Sequence, residues 1–290
     1  TAAKMSALSG TGIEGLMAQQ IDALTGTQVA ALSTAGVAGL TAAQVSSLTT
    51  TQMAVLNATQ IASLSTTGAA GLTAMQIETL TRTQLAALTT TEIGALATST
   101  IASLSTTTLA ALTTTQWQSL SDTGVAALTT TQISSLTTTQ ISHLAVTELD
   151  ALTSTQIATL TDSQIDALTT TQLQALSTTG LSGLTAAQVA ELSNTQLAAL
   201  STSQIAALTA TAVSGLTATQ ISSLSTAQFT SLSATGVAGL TATQMQALTT
   251  TQIGLLSTTE LSGLTATQVA SLSTTQFSAL SATQISDLST

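Results

Sequence analysis

Leucine recurs at every eighth position from Leu8 to Leu288 without an exception. This spacing places 36 leucines in one register over 290 residues, with no insertion or deletion between them. A fixed short period through a whole chain is typical of repeat architectures, in which each unit buries its apolar face only against neighbouring units. We therefore predict one continuous octapeptide-repeat domain over residues 1–290, built from about 36 units.

Each octad carries the signals that start an α-helix. With the leucine as position 0, position +1 is Ser or Thr in 32 of 36 octads, position +4 is Gln in 23 of 35, and position +5 is apolar. Ser or Thr followed by Gln three residues later forms a capping box, and the flanking apolar pair forms a hydrophobic staple. Glutamate takes the place of Gln at Glu92, Glu148 and Glu260.

The predicted helices are short, because eight residues of one continuous α-helix advance about 800° and successive leucines would not share a face. We expect each helix to run from position +2 to about +7. Helices of this length are unstable alone in water, so the octads must stack. The predicted fold is an all-α repeat solenoid of short capped helices, one per octad. The alternative is a β-solenoid, since Thr, Ile and Val favour strands, although positions 0 and +5 would then point to opposite faces.

A longer period of seven octads overlies the single octad. Glycine replaces Gln at position +4 once in every seven octads along one series: Gly12, Gly68, Gly124, Gly180 and Gly236. Duplication of a seven-octad segment explains this spacing, and so does a superhelix in which seven octads return to the same face. The residues at position +7 are mostly Ala, Ser or Gly, which predicts a close approach between neighbouring units.

Composition excludes several classes of function. The chain has twelve acidic residues against Lys4 and Arg82, for a net charge of −10. We expect no nucleic-acid binding, because phosphate groups are neutralised by Lys and Arg. Ser and Thr interrupt every apolar stretch well short of the roughly 20 residues of a membrane span, so we expect no membrane insertion. The absence of cysteine excludes disulfides and thiolate metal sites.

The histidine and the acidic residues give no recognisable metal site. His143 is the only histidine, and a metal ion there would need carboxylates such as Glu148 or Asp150. Asp162 and Asp166 extend the acidic stretch, but without the loop spacing of a calcium site. We interpret His143 as a surface variant and the acidic stretch as a solvated face. The acidic residues at position +6 are predicted to point outward: Glu14, Asp22, Glu78, Asp150 and Asp166.

The aromatic residues and the hydroxyl groups are interpreted as structural. Trp117, Phe229 and Phe277 all occupy position +5, which we predict to lie in the core. No nucleophile motif, phosphate-binding loop or dinucleotide fingerprint stands out among the Gly, Ser and Thr residues. We therefore predict no enzymatic activity, no catalytic, cofactor-binding or metal-binding residues, no cofactor and no small-molecule substrate.

The octad Leu136-Thr137-Thr138-Thr139-Gln140-Ile141-Ser142-His143 resembles the repeat arrays of very large, adhesin-like secreted proteins of bacteria. The resemblance covers the whole chain and implies an extracellular or cell-surface location. It implies no catalytic residues.

Three functions are compatible with these patterns. The first is a structural protein that forms or belongs to an extracellular filament, sheath or surface fibre, in which the chain associates with itself by stacking and lateral packing. A nearly uncharged surface favours this hypothesis, because mixed charge is what keeps proteins apart. The second is a spacer or stalk of a bacterial adhesin. The third is an ice-binding repeat protein that presents a regular array of threonines.

Overall fold

The computed structural model describes residues 1–288 and, of Asp287, only the backbone. Every regular element in this part of the chain is an α-helix, so the all-α prediction is confirmed and the β-solenoid is wrong. The described chain contains 36 helices of four to six residues, one in each octad. The helices fall into two compact units, residues 1–143 and 144–290.

The first unit contains 18 helices: α1 Ala2–Ser6, α2 Gly10–Glu14, α3 Ala18–Asp22, α4 Gly26–Ala30, α5 Thr34–Ala38, α6 Ala42–Ser47, α7 Thr50–Ala54, α8 Ala58–Ile61, α9 Thr66–Ala69, α10 Ala74–Glu78, α11 Arg82–Ala87, α12 Thr90–Gly94, α13 Thr98–Ser103, α14 Thr106–Ala111, α15 Thr114–Trp117, α16 Asp122–Ala126, α17 Thr130–Ser135 and α18 Thr138–Ser142.

The second unit contains a further 18 helices in its described residues: α19 Val146–Asp150, α20 Ser154–Ala158, α21 Asp162–Asp166, α22 Thr170–Ala175, α23 Thr178–Leu181, α24 Ala186–Glu191, α25 Asn194–Ala199, α26 Thr202–Ala206, α27 Ala210–Ser214, α28 Ala218–Ser223, α29 Thr226–Thr230, α30 Ala234–Ala238, α31 Ala242–Ala247, α32 Thr250–Leu255, α33 Thr258–Ser262, α34 Ala266–Ala270, α35 Thr274–Phe277 and α36 Ala282–Asp287.

The helices begin where the capping boxes predict. In α7, the N-cap residue Thr49 has an extended backbone (φ −68°, ψ 158°), and its Oγ1 accepts a hydrogen bond from the Gln52 amide at 3.2 Å. In return, the Gln52 side-chain Oε1 accepts from the Thr49 amide at 2.7 Å. This reciprocal pair fixes the first turn of the helix. The helix then ends after five residues, and the next cap begins at Asn57.

Within each unit, helices that are three apart in the chain pack against each other. In the first unit α2 packs on α5 and α6 on α9, and in the second α19 packs on α22 and α27 on α30. The core between them consists of the leucine at position 0 and the apolar residue at position +5, as predicted. Trp117 and Phe229 are fully buried at position +5, and the Trp117 indole Nε1 donates to the Gln140 carbonyl at 3.1 Å.

Phe277 corrects the prediction that all the aromatic residues lie in the core. Its side chain is 43% exposed, and Ile285 in the next octad is 39% exposed. Earlier in the same unit, Ile253 occupies the same octad position and is fully buried. The difference arises because a position +5 side chain is covered by octads that lie a turn later, and few described octads follow Phe277.

Small residues at position +7 allow the backbones of successive turns to come into contact. A Cβ atom on Gly71, which directly follows α9 and its C-cap, would overlap the backbone of Ala42 at the start of α6. Gly183 and Gly215 approach Ser154 and Ala186 in the same way. The helices of residues 1–288 all fall short of the length and apolarity that a membrane crossing requires.

The close approach at Gly71 predicts the effect of adding one methyl group. We expect Gly71→Ala to lower the free energy of unfolding by about 1–3 kcal/mol, because the Ala42 backbone must move to make room. The matched control is Gly263→Ala, also at position +7, where a Cβ meets no atom nearer than 3.4 Å. Denaturant unfolding followed by circular dichroism measures both variants. Equal effects in the two variants would contradict the proposed close contact.

A buried glutamine ladder as the candidate functional site

The most regular chemical feature of the structure is the glutamine at position +4, which makes hydrogen bonds at both ends of its amide. In α17, the Gln132 Oε1 accepts from the N-cap amide of Thr129 at 2.7 Å. The Nε2 of the same side chain donates to the carbonyls of Leu104 and Ile101, at 2.7 and 2.9 Å. Gln132 is only 3% exposed. One side chain therefore caps the start of its own helix and the end of α13, four helices earlier.

The same bridge recurs in both units. Its donor–acceptor distance to the leucine carbonyl 28 residues earlier lies between 2.6 and 3.0 Å. The glutamines with a bridge of this kind to that leucine are Gln44, Gln52, Gln60, Gln76, Gln84, Gln116, Gln132, Gln172, Gln188, Gln196, Gln204, Gln220, Gln228, Gln244, Gln268, Gln276 and Gln284. We call this set of bridges the glutamine ladder.

The ladder and the helix packing join different pairs of helices within each unit. Each helix packs on the helix three positions away in chain order. Each ladder glutamine donates instead to the end of the helix four positions earlier. The 28-residue offset joins position +4 of one octad to position 0 of the octad three earlier.

Short helices require such a side chain. The first four amides and last four carbonyls of an α-helix lack partners inside the helix, and a helix of five residues consists of little else. A buried polar group without a partner costs about 1–3 kcal/mol. Glutamine has an acceptor and a donor at the end of a flexible stem, so it satisfies both kinds of helix end at once. Thr100 occupies position +4 in α13. Its hydroxyl group donates to the Leu72 carbonyl at 2.9 Å, as the amide nitrogen of a glutamine does elsewhere.

Glu92 keeps the N-cap hydrogen bond of a ladder glutamine but lacks its amide donor. Its Oε2 accepts from the Thr89 amide at 2.6 Å, as a glutamine Oε1 does. Its Oε1 is buried and, among the described residues, has no hydrogen-bond partner. Burial raises the pKa of this carboxyl group, and the hydrogen bonds from Thr89 oppose that shift only in part. Glu148 and Glu260 make the same N-cap bond, from Ala145 and Ser257 at 2.6 and 2.7 Å.

The ladder is interrupted at α14, where Thr108 occupies position +4. The N-cap amide of Ser105 donates instead to Glu78 Oε1 at 2.8 Å. A groove of about 200 Å³ opens beside Thr108, and Leu80 and Arg82 contribute to its lining. The groove occupies the region that a longer position +4 side chain would fill.

The candidate metal ligands of the sequence, apart from Glu148, lie away from the ladder. His143 is exposed, and its Nδ1 lies 2.7 Å from the Thr139 carbonyl oxygen. Asp150, Asp162 and Asp166 are exposed, whereas Glu148 is buried in the ladder. In the part of the chain that the structure describes, no three His, Asp or Glu side chains are grouped closely enough to hold a metal ion. The position +6 acidic residues are exposed as predicted: Glu14, Asp22, Glu78, Asp150 and Asp166.

Sequence reasoning found the capping half of the ladder and missed the bridging half. The capping box accounts for the glutamine Oε1 but leaves the amide nitrogen without a role. The signal that it overlooked is that Glu, which caps equally well, occupies only three of 35 positions where Gln occupies 23. A preference for the amide over the carboxylate indicates that a donor is needed.

Comparison with known families agrees with a repeat protein. A family model described as the ALTTAQ repeat matches residues 141–178. Residues 167–172, Ala-Leu-Thr-Thr-Thr-Gln, show what this name describes: the leucine, the N-cap threonine and the position +4 glutamine of one octad. No curated protein matches the chain. With 36 short helices in its described residues, the chain is a helical repeat protein with a solenoid-like architecture.

The ladder predicts a large difference between two glutamine variants of the first unit. Gln132→Ala leaves the Ile101 and Leu104 carbonyls without their side-chain donor, so we expect a loss of roughly 2–4 kcal/mol of unfolding free energy. Gln20→Ala removes only the bond to the Met17 amide, and the expected loss is about 0.5–1.5 kcal/mol. Denaturant midpoints compare the two variants. If Gln20→Ala lowered the unfolding free energy as much as Gln132→Ala, the bridges between turns would not contribute to stability.

Completing the ladder at α14 should stabilise the chain. We expect Thr108→Gln to fill the groove, to replace Glu78 as the acceptor of the Ser105 amide and to donate to the Leu80 carbonyl, for a gain of about 1 kcal/mol. The control is Thr131→Gln, the same substitution at an exposed position +3 in α17. Thermal and denaturant unfolding measure both variants. A Thr108→Gln chain no more stable than the control would show that an amide at position +4 does not bridge turns there.

Proposed function

We propose that this chain is a structural protein that forms, or belongs to, an extracellular filament, sheath or surface fibre. The observation that carries the proposal is the repetition of one contact, the glutamine ladder with its buried leucines, from turn to turn in both units. Since the turns within each unit are joined by the same groups, each turn presents the same two faces. Such a contact extends without a natural limit.

The first and last described turns show which groups an added turn would use. In the first turn, Leu8, Leu16 and Leu24 are only half-buried. The Nε2 atoms of Gln20 and Gln28 donate to no residue within residues 1–288, although their Oε1 atoms accept N-cap bonds. These are the leucines and amides that each interior turn uses to join the turn before it.

The last described turn presents the opposite half of the contact. Phe277 and Ile285 expose apolar surface there, next to the ends of helices that no later glutamine reaches among the described residues. A further turn packed on this surface, from the same chain or from a second copy, would repeat the contact between interior turns. Between copies such an interface is heterologous, and we propose that it repeats without closing, which generates a filament rather than a ring.

The remaining surface supports lateral packing of the same copies. The chain carries two basic residues against twelve acidic ones in 290 positions, and hydroxyl groups dominate between them. A surface with so few charges of both signs offers little protection against self-association. We further propose that the protein is not an enzyme, and that it binds no cofactor, small-molecule substrate or nucleic acid. Its extracellular or cell-surface location is proposed from the resemblance to adhesin-like repeat arrays.

Electron microscopy and sedimentation velocity of the purified chain test this function. We expect filaments whose length increases with protein concentration. The double variant Phe277→Ser/Ile285→Ser should reduce assembly strongly, because it removes apolar surface from the end contact. The matched control is Val146→Ser, which removes an exposed apolar side chain away from the terminal turns. Both substitutions affect exposed residues, and circular dichroism checks that each variant remains helical.

Two results would contradict the proposal. Dispersed monomers of the wild-type chain under all conditions would argue against a filament and favour the spacer or stalk. Filaments of the double variant identical to those of the wild-type chain would show that assembly does not use the end contact.

A further inference from the structure

Glu92 occupies position +4 of α12, where the helices of the ladder have a glutamine. Glutamines at this position donate to carbonyls 31, 30 and 28 residues earlier, as Gln52 does to Ile21, Asp22 and Leu24. For Glu92, the corresponding carbonyls are those of Ile61, Ala62 and Leu64.

Neither side of this contact has a donor when Glu92 is ionised. Glu92 is 2% exposed, and its Oε1 is buried without a hydrogen-bond partner among the described residues. The Leu64 carbonyl likewise accepts no hydrogen bond from the part of the chain that the structure describes. An ionised carboxylate is acceptor-only, so two oxygen atoms with partial or full negative charge would face each other in a desolvated contact.

We propose that a proton on Glu92 joins its turn to the preceding turn: the protonated Oε1 donates to the helix-end carbonyl of Leu64, as the glutamine amides do elsewhere, and loss of the proton loosens this one contact. A protonated carboxyl group has one donor and keeps its acceptor oxygen, so it reproduces both halves of a glutamine amide. The Oε2 bond to Thr89 is retained in both states.

No charged group competes with the proton in the surrounding helices. The helices packed most extensively on α12 are α9 and α15, and neither contains a titratable residue. The segment 58–64, which supplies the carbonyls, has none either. Of the adjacent helices in the chain, α13 is uncharged and α11 has only Arg82, which is exposed. The shift in the pKa of Glu92 has burial as its largest cause and the Thr89 hydrogen bonds as its other causes.

The direction of the pH dependence follows from this geometry. Burial raises the pKa of Glu92 in the folded chain above its ordinary value of 4.5. The contribution of the bridge to stability is therefore complete below about pH 4.5 and is lost as the pH rises through the pKa of the folded state. Acid thus strengthens this contact, whereas it weakens contacts that depend on an ionised carboxylate.

Hydrogen exchange measured by mass spectrometry tests the proposal on the intact chain. Peptides that cover residues 58–68 and 89–96 are followed from pH 4 to pH 8, after correction for the intrinsic exchange rate. In the wild-type chain, we expect exchange in these peptides to accelerate by up to about tenfold per pH unit between the two pKa values and then to level off. Glu92→Gln supplies a permanent donor, so it should remain protected across the whole range.

The control variant is Glu14→Gln, which makes the same change in charge at an exposed position of the same unit. It should retain the wild-type pH profile in both peptides. Infrared difference spectra give a second readout, since the band of a protonated carboxyl group at acid pH should be present in the wild-type chain and reduced in Glu92→Gln.

Two outcomes would overturn the proposal. In the first, wild type and Glu92→Gln show the same pH profile in both peptides. In the second, the wild-type peptides stay protected at pH 8 only when Na⁺ or Ca²⁺ is added, which would mean that a cation and not a proton joins the two oxygen atoms. Neither result bears on filament formation, so this inference and the proposed function can fail separately.

Discussion

The structure depends on one requirement, which is that very short helices must find hydrogen-bond partners for both of their ends. A helix of four to six residues has almost no interior, so nearly all of its backbone groups are end groups. The position +4 glutamine meets this requirement with one amide: Oε1 takes the N-cap amide of its own helix, and Nε2 caps a helix one turn earlier. Because the first bond fixes the direction of the second, local capping also determines how successive turns are joined.

Several other features follow from this bridge. The 28-residue offset joins position +4 of one octad to position 0 of the octad three earlier, so each bridge connects neighbouring turns within a unit. The turns come close enough at Gly71 for backbones to touch, which requires glycine there, and position +7 is mostly Ala, Ser or Gly along the chain. The leucines and the position +5 residues fill the space between turns, and Trp117 fits there because its indole nitrogen reaches a carbonyl. Where the glutamine is replaced by Thr108 a groove opens, and where it is replaced by Glu92 a buried oxygen lacks a donor.

Much of this fold could be predicted from the sequence, since the octad encodes local events. The capping box and the staple act within eight residues, so the start of each helix, its length and its buried positions follow from spacing alone. The bridge joins residues 28 apart, and nothing in a single octad specifies the number of octads per turn. For the same reason, the burial of Glu92 and Glu148 was not predicted: their neighbours lie in another turn. Phe277 was predicted to be buried from its octad position, but burial also requires a later turn to cover it.

The most direct test of this account is hydrogen exchange of the glutamine side-chain amides, measured by NMR with assigned Nε2 resonances. The account predicts slow exchange for ladder glutamines such as Gln132 and Gln244, comparable with the backbone amides of the core. Gln118 and Gln246 are exposed at position +6 and should exchange at rates near those of a free amide. Gln20 and Gln28, whose Nε2 atoms have no partner in the described chain, should behave in the same way in the monomer. Fast exchange at Gln132 and Gln244 would contradict the account, because it would show that the amides do not bridge the turns.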